Sequence, residues 1–210
     1  MYDRGEGSLQ DLAAFILAGG KSTRMGRDKA FVEFEGQMLL ARALELARSV
    51  TSDVWIVGDA AKFAAFGPVV EDLFRDCGPL GGIHAALRAS AAELNLMLAV
   101  DVPFVSAELL DFLTARARES AALVTAVRTD GRWQPLCGIY RRKFANVAEE
   151  ALSAGRYKIT ALFEAERMQS ISEKELAAAG FSSEMFRNLN TPEDLAEAHD
   201  SASVRHGNSF

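Results

Sequence analysis

Cysteine is scarce in this chain. Cys77 and Cys137 stand 60 positions apart, with no Cys-x-x-Cys spacing and no histidine pair nearby. Neither a disulfide framework nor a zinc site is indicated, and both thiols are expected to be reduced, as in a cytosolic protein. Histidine is equally sparse. His84, His199 and His206 assemble with no serine or cysteine into a triad, so covalent catalysis by a protein nucleophile has no support. Long apolar runs are missing too: no window approaches the roughly 18 to 20 residues of a membrane-spanning helix. The polar start, residues 1–10, gives way to an apolar stretch that glycines interrupt after Leu17, which is not the pattern of a signal peptide. A soluble, cytoplasmic protein without a membrane partner is expected. Basic residues are outnumbered 23 to 29, for a net charge of −6, and this argues against a protein that coats nucleic acid. Small phosphorylated ligands stay open, because a local basic cluster suffices for them.

The 210 residues are 49% hydrophobic and 25% charged, close to the globular norm, and at about 150 residues per domain they amount to one domain. Residues 11–199 are expected to form it, with flexible tails at 1–10 and 200–210. Leu12 to Ala18 is a short apolar run ending on Gly19-Gly20, which suits a buried parallel strand. Phe31 to Phe34 is read as a further extended piece and Met38 to Val50 as a helix. Strand and helix patterns then alternate: strands over 53–58 and 68–71, helices over 60–66 and 83–90, the latter preceded by a glycine and proline loop from Gly78 to Gly82, and the most apolar strand from Leu94 to Val100. Ser106 caps a helix reaching about Arg118. The spacing predicts strands over 121–127 and 134–140 joined at Arg128-Thr-Asp-Gly-Arg132, with mixed pairing at one edge of the sheet. A helix over 141–154 closed by Gly155, a short helix over 158–165 and a small strand over 167–171 follow. Thr191-Pro192-Glu193-Asp194 opens the last helix, with threonine as cap, proline in the first turn and acids at the positive end of the dipole. The expectation is an α/β fold: a mostly parallel, mixed sheet between two helix layers, binding its ligands at the carboxyl ends of the strands.

The loop after the first strand carries Gly19, Gly20 and Gly26 together with Lys21, Arg24, Arg27 and Lys29. Glycines let backbone N–H groups approach a phosphate closely, and the cations neutralise it. A polyphosphate cradle is the physical reading, and a solvated basic turn is its rival. A Walker A loop needs glycine where Phe15 stands, and Gly-x-Gly-x-x-Gly is absent. Asp101 ends the most apolar strand and is followed by Val102-Pro103, so its carboxylate is suited to Mg²⁺, which one or two carboxylates and substrate phosphates commonly hold. An aspartate that merely caps the turn that follows is the rival reading.

The run Leu17-Ala-Gly-Gly-Lys-Ser-Thr-Arg-Met-Gly-Arg-Asp-Lys29 resembles the nucleotide-binding signature of the molybdenum cofactor guanylyltransferases, which share a Rossmann-like nucleotidyltransferase fold. The resemblance continues through Glu71-Asp72, Gly78-Pro-Leu-Gly-Gly82, Asp101-Val-Pro103 and Asn188-Leu-Asn-Thr-Pro-Glu-Asp194, and covers residues 12–198. It implies transfer of GMP from GTP to the phosphate of Mo-molybdopterin, with release of pyrophosphate. It also implies transient contacts with molybdenum-insertion proteins and apo-molybdoenzymes. Leu17, Ala18, Gly19, Gly20, Lys29, Asp72 and Asp101 would bind GTP, with Asp101 as the Mg²⁺ ligand and Arg24, Lys29 and Asp101 as the catalytic set. Gly78, Gly82, Arg156, Asn188 and Asn190 would face molybdopterin. Asp72 can also be an ordinary loop aspartate, the glycines can simply shape a helix entry, and Arg156 with Lys158 can be solvated cations at a helix end. Other readings are a cytidylyltransferase, a guanylyltransferase with another phosphorylated acceptor, and a nucleotide-binding protein that delivers cofactor without catalysis.

Arg24 lies at the middle of the loop, where a guanidinium can stabilise charge that develops on the α-phosphate. Arg24→Ala is therefore expected to slow a single turnover at saturating GTP by about a hundred- to a thousand-fold while weakening GTP binding less. A rate within about threefold of the parent would make Arg24 a bystander.

Overall fold

A computed structural model describes residues 11–19, 28–163 and 168–198 of the chain. The anticipated tails at 1–10 and 200–210, together with Gly20, Lys21, Arg24, Arg27, Arg167, His199 and His206, lie outside the described residues. The chain begins with β1 (Leu12–Leu17), a 3₁₀ turn at Lys29–Phe31, the two-residue strands β2 (Glu33–Phe34) and β3 (Gln37–Met38), and α1 (Leu39–Val50). It continues through β4 (Val54–Val57), α2 (Ala60–Phe63), β5 (Val69–Val70), α3 (Pro79–Ala89), β6 (Leu94–Ala99) and α4 (Ala107–Arg118). The hairpin strands β7 (Val124–Thr129) and β8 (Arg132–Arg141) lead to α5 (Phe144–Ser153), α6 (Ile159–Phe163), β9 (Met168–Ser172) and α7 (Glu173–Ala178). A helical segment α8 (192–198) follows.

Seven strands form one sheet in the order β5-β4-β1-β6-β8-β7-β9, and β2 pairs only with β3. Within the seven-stranded sheet all neighbours run parallel except the two pairings of β8, and the β2–β3 pair is antiparallel. The antiparallel strand is therefore interior, lying between β6 and β7, and not at an edge as the sequence suggested. A hairpin return explains this: β7 and β8 must be neighbours, and β8 is the partner that reaches β6. The turn residues Asp130 and Gly131 both have positive φ, 49° and 71°, as a two-residue turn matching the twist of its strands requires.

Alternate residues of each strand supply two cores. Ala14, Ile16, Leu96 and Leu98 point toward α1, α4 and α7. Phe15, Met97, Val124 and Tyr140 point toward α3, α5 and α6. The three-layer α/β arrangement is the expected one. Cys137 is buried within it and free, as is Cys77, and burial pushes the Cys137 thiol up to about 12.

Two local expectations fail for physical reasons. The segment from Gly78 to Gly82 is not a loop ahead of a helix: α3 already begins at Pro79, with Gly78 as its cap at φ 66°. Proline there sacrifices no helical hydrogen bond, and the two glycines that suggested a loop are instead helical residues at points of close approach. A Cβ on Gly81 would lie 2.7 Å from the Phe74 carbonyl oxygen, and one on Gly82 3.1 Å from Val57 Cγ1. Phe31 to Phe34 is divided between the 3₁₀ turn and β2. In addition, α7 carries no strong apolar period, yet its start is fixed by a capping box between Ser172 and Glu175.

Gly131→Ala places a side chain in the left-handed region and is expected to destabilise the fold by about 1–2 kcal/mol. Calorimetry should show the Tm lowered by about 2–8 °C.

Candidate functional site

The β1–β6 ladder aligns Leu17 with Ala99, so the chain leaves both strands at one level of the sheet. Beyond β1, the Ala18 and Gly19 N–H groups both donate to the Val57 carbonyl, at 3.0 and 3.1 Å, which holds the start of the glycine loop against the end of β4. Lys29 opens the 3₁₀ turn, whose cap is Asp28: its Oδ1 accepts from the Ala30 N–H at 3.2 Å. Ala30 is buried, which fixes the backbone next to Lys29.

From that position the Lys29 Nζ donates to Asp101 Oδ2 at 2.8 Å and to Asn190 Oδ1 at 2.6 Å. The two charged side chains retain about a fifth of their exposure, 21% and 17%, so the contact is sheltered but open to a ligand. The Asp101 carbonyl accepts from the Leu189 N–H at 2.9 Å, and Asp194 Oδ2 accepts from the N–H groups of Asn190 and Thr191. Above all, the hydrogen bond from the Asn190 N–H holds the Asp194 carboxyl below its usual range. Thr191 caps α8 as anticipated, its Oγ1 accepting from the Asp194 N–H at 3.1 Å.

A cavity of about 790 Å³ opens at this edge, lined by Leu17, Ala18, Gly19, Lys29, Asp72, Gly78, Gly82 and Asp101 from the anticipated set. The volume is within the range of small-molecule sites. Asp72 follows β5 and sits over the first turn of α3, its carboxylate 3.3 Å from where a Gly82 Cβ would stand. Partial burial raises its pKa. Asn190 joins the site through Lys29, whereas Asn188 is exposed and does not line the cavity. Arg156 is likewise exposed and away from the lining. Its N–H donates to the Ala151 carbonyl in the turn that ends α5 at Gly155. Gly20 and Arg24 fall outside the described residues.

Asp59, Asp76 and Leu136 also line the cavity and were not anticipated. Asp59 had a usable signal, since it follows Gly58 at the end of a parallel strand, the position that drew attention to Asp101. Leu136 had none, because only the reversed direction of β8 brings the first half of that strand to the carboxyl edge. The described lining holds one cation, Lys29, against the four carboxylates of Asp59, Asp72, Asp76 and Asp101. Among the described residues no three His, Cys, Asp or Glu side chains converge as a metal-binding group. None of the described helices is long and apolar enough to cross a membrane.

Asp72→Asn should raise the unfolding temperature at pH 7, because the native state disfavours the charged carboxyl and the neutral amide removes that cost. A raised native pKa contributes stability at low pH and loses it as pH rises through the native value. The advantage of the variant should therefore vanish below the ordinary carboxylate value of about 3.9, which melting curves at pH 3 and pH 7 will check.

Comparison with known proteins agrees with this fold. The family model described as the MobA-like NTP transferase domain matches residues 14–171. A probable molybdenum cofactor guanylyltransferase of Pelotomaculum thermopropionicum is 35% identical over 186 residues, 87% of this chain and 89% of the relative. A molybdenum cofactor guanylyltransferase of Desulfosudis oleivorans is 32% identical over 193 residues, 90% and 95% of the two chains. The crystal structure of molybdopterin-guanine dinucleotide biosynthesis protein A from Archaeoglobus fulgidus is similar with a TM-score of 0.81 at 27% identity, covering 91% of this chain and 99% of that one. A CMP:2-keto-3-deoxy-manno-octonic acid synthetase complexed with CTP shares the fold alone, with a TM-score of 0.70 at 12% identity. The chain belongs to the MobA-like nucleotidyltransferases, the family of the molybdenum cofactor guanylyltransferases.

Proposed function

We propose that this enzyme transfers GMP from GTP to the terminal phosphate of Mo-molybdopterin, forming the guanine dinucleotide cofactor and releasing pyrophosphate. The observation that carries the reading is the convergence of Asp101 and Asn190 on Lys29, which together with Asp101 lines a cavity of about 790 Å³ at the carboxyl ends of the strands. The curated relatives named as guanylyltransferases favour guanine as the base and the pterin as acceptor.

In this reaction a phosphate oxygen of the acceptor attacks the α-phosphorus of GTP, a new P–O bond forms, and the bond to the bridging oxygen breaks as pyrophosphate leaves. The attacking monoester is already ionised at neutral pH, so no side chain has to remove a proton from it. Positioning and charge neutralisation then account for catalysis. Lys29 would exchange part of its contact with Asp101 and Asn190 for phosphate oxygens, keeping its charge inside a cavity otherwise lined by carboxylates. Asp72 and Asp59 offer acceptors to the donor groups of the nucleoside.

The donor set fits Mg²⁺: Asp101 supplies a carboxylate of which one oxygen receives Lys29, and magnesium bound through a single carboxylate and substrate phosphates needs no protein cage. When bound, the ion would neutralise charge on the transferring phosphoryl group. The protein residues would hold the nucleotide and acceptor in line and keep Lys29 at the phosphates.

Pyrophosphate release should be seen with GTP and molybdopterin, and not with CTP or ATP. Equal turnover with CTP would overturn the base assignment. Asp101→Ala should abolish turnover while circular dichroism stays that of the parent, because a partly exposed strand-end carboxylate contributes little to the core. A fully active variant would remove Asp101 from the metal site.

A further inference from the structure

The segment from Leu189 to Asp194 crosses the carboxyl edge of the sheet and is tied down at both ends. Leu189, fully buried beside Phe34 and Leu39, donates its N–H to the Asp101 carbonyl. One residue on, the Asn190 N–H donates to Asp194 Oδ2 at 2.8 Å, and the same oxygen accepts from the Thr191 N–H at 2.9 Å. With its backbone fixed on both sides, Asn190 has only two side-chain torsions through which its Oδ1 can move, and that oxygen is 2.6 Å from Lys29 Nζ. An aspartate in the first turn of a helix is ordinarily a helix-stabilising residue. Here its carboxylate also reaches past the helix cap to the residue that holds the site lysine.

We propose that Asp194 is a positioning residue for nucleotide transfer: its carboxylate fixes Asn190, and through Asn190 it sets the place of the Lys29 ammonium over the cavity. The proposal rests on the reading of Lys29 as a phosphate-binding group. Thr191 provides the comparison. Its hydroxyl accepts from the Asp194 N–H and supports α8, but it makes no hydrogen bond to Asn190. Loss of either side chain removes half of the same capping arrangement, and only loss of Asp194 releases Asn190.

The test uses the full chain with Asp194→Ala, Asp194→Asn and Thr191→Ala. Lys29 reactivity is read in the ligand-free protein by acetic anhydride labelling and peptide mass spectrometry. Pinned between two acceptors, Lys29 should label slowly in the parent and in Thr191→Ala. In Asp194→Ala the rate should rise severalfold, although both alanine variants lose comparable thermal stability. Asp194→Asn keeps an oxygen with two lone pairs and should restore slow labelling. In turnover assays with GTP, kcat/KM should fall on the order of ten- to a hundredfold in Asp194→Ala, the scale on which a small misplacement of a binding group is felt, and much less in Thr191→Ala. Equal Lys29 labelling in Asp194→Ala and Thr191→Ala would overturn the proposal, as would equal kcat/KM values in those two variants. If the labelling pattern holds while the parent fails to use GTP, the positioning of Lys29 stands and the assignment of the nucleotide falls.

Discussion

Everything at the site depends on the parallel ladder between β1 and β6. Six consecutive residue pairs, from Leu12 with Leu94 to Leu17 with Ala99, bring the two strands to an end together. The glycine loop and Asp101 emerge side by side although more than 80 residues separate them in sequence. A slip of β1 by one residue would turn Phe15 away from the α3 and α5 layer and bring Ala14 and Ile16 to face it instead. The burial of both strand faces therefore fixes the register, and the register fixes the distance between Gly19 and Asp101. Packing and chemistry share one constraint.

The electrostatics of the cavity follow from where it lies. Strand ends at the carboxyl edge carry Asp59 and Asp101, each just past a buried apolar run, and Asp72 past the half-buried β5, and together with Asp76 they give a pocket ill suited to bare polyphosphate. Lys29 offsets part of that charge within the described lining, and the sequence places Lys21, Arg24 and Arg27 in the same loop. The proposed nucleotide has both kinds of chemistry: anionic phosphates for basic residues such as Lys29, and nucleoside hydrogen-bond donors for the carboxylates. Asp72 fits the second role because its desolvation makes a hydrogen-bonded partner more favourable than isolation.

Much of the fold was legible because its signals are local. Apolar runs that end on Gly19, Gly58 and Asp101 marked the central strands, Ser106 and Thr191 marked two helix starts, and Asp130-Gly131 marked the hairpin. What could not be read depends on contacts between distant segments. Gly81 and Gly82 have the composition of a loop, and only the proximity of Phe74 and Val57 explains why a helix needs them. The interior place of β8 depends on its partner β6, and Leu136 reaches the cavity only by that reversal. At the site, the strand-end rule located Asp101 and the motif located Lys29, but that Asn190 faces Lys29 while Asn188 faces solvent is a matter of side-chain orientation in an irregular segment, which has no sequence period.

The bond between Lys29 and Asn190 spans 161 positions of the chain. Sheet pairs such as β1 with β4 need only neighbouring segments, so much of the scaffold can form while the ribosome is still extending the polypeptide. At about 5–20 residues per second, Lys29 is synthesised roughly 8–32 s before Asn190. A nascent chain can therefore hold a nearly complete sheet with its lysine unclamped. Completion of the clamp coincides with arrival of α8, so the cavity can acquire its finished form only after Asn190 has been made.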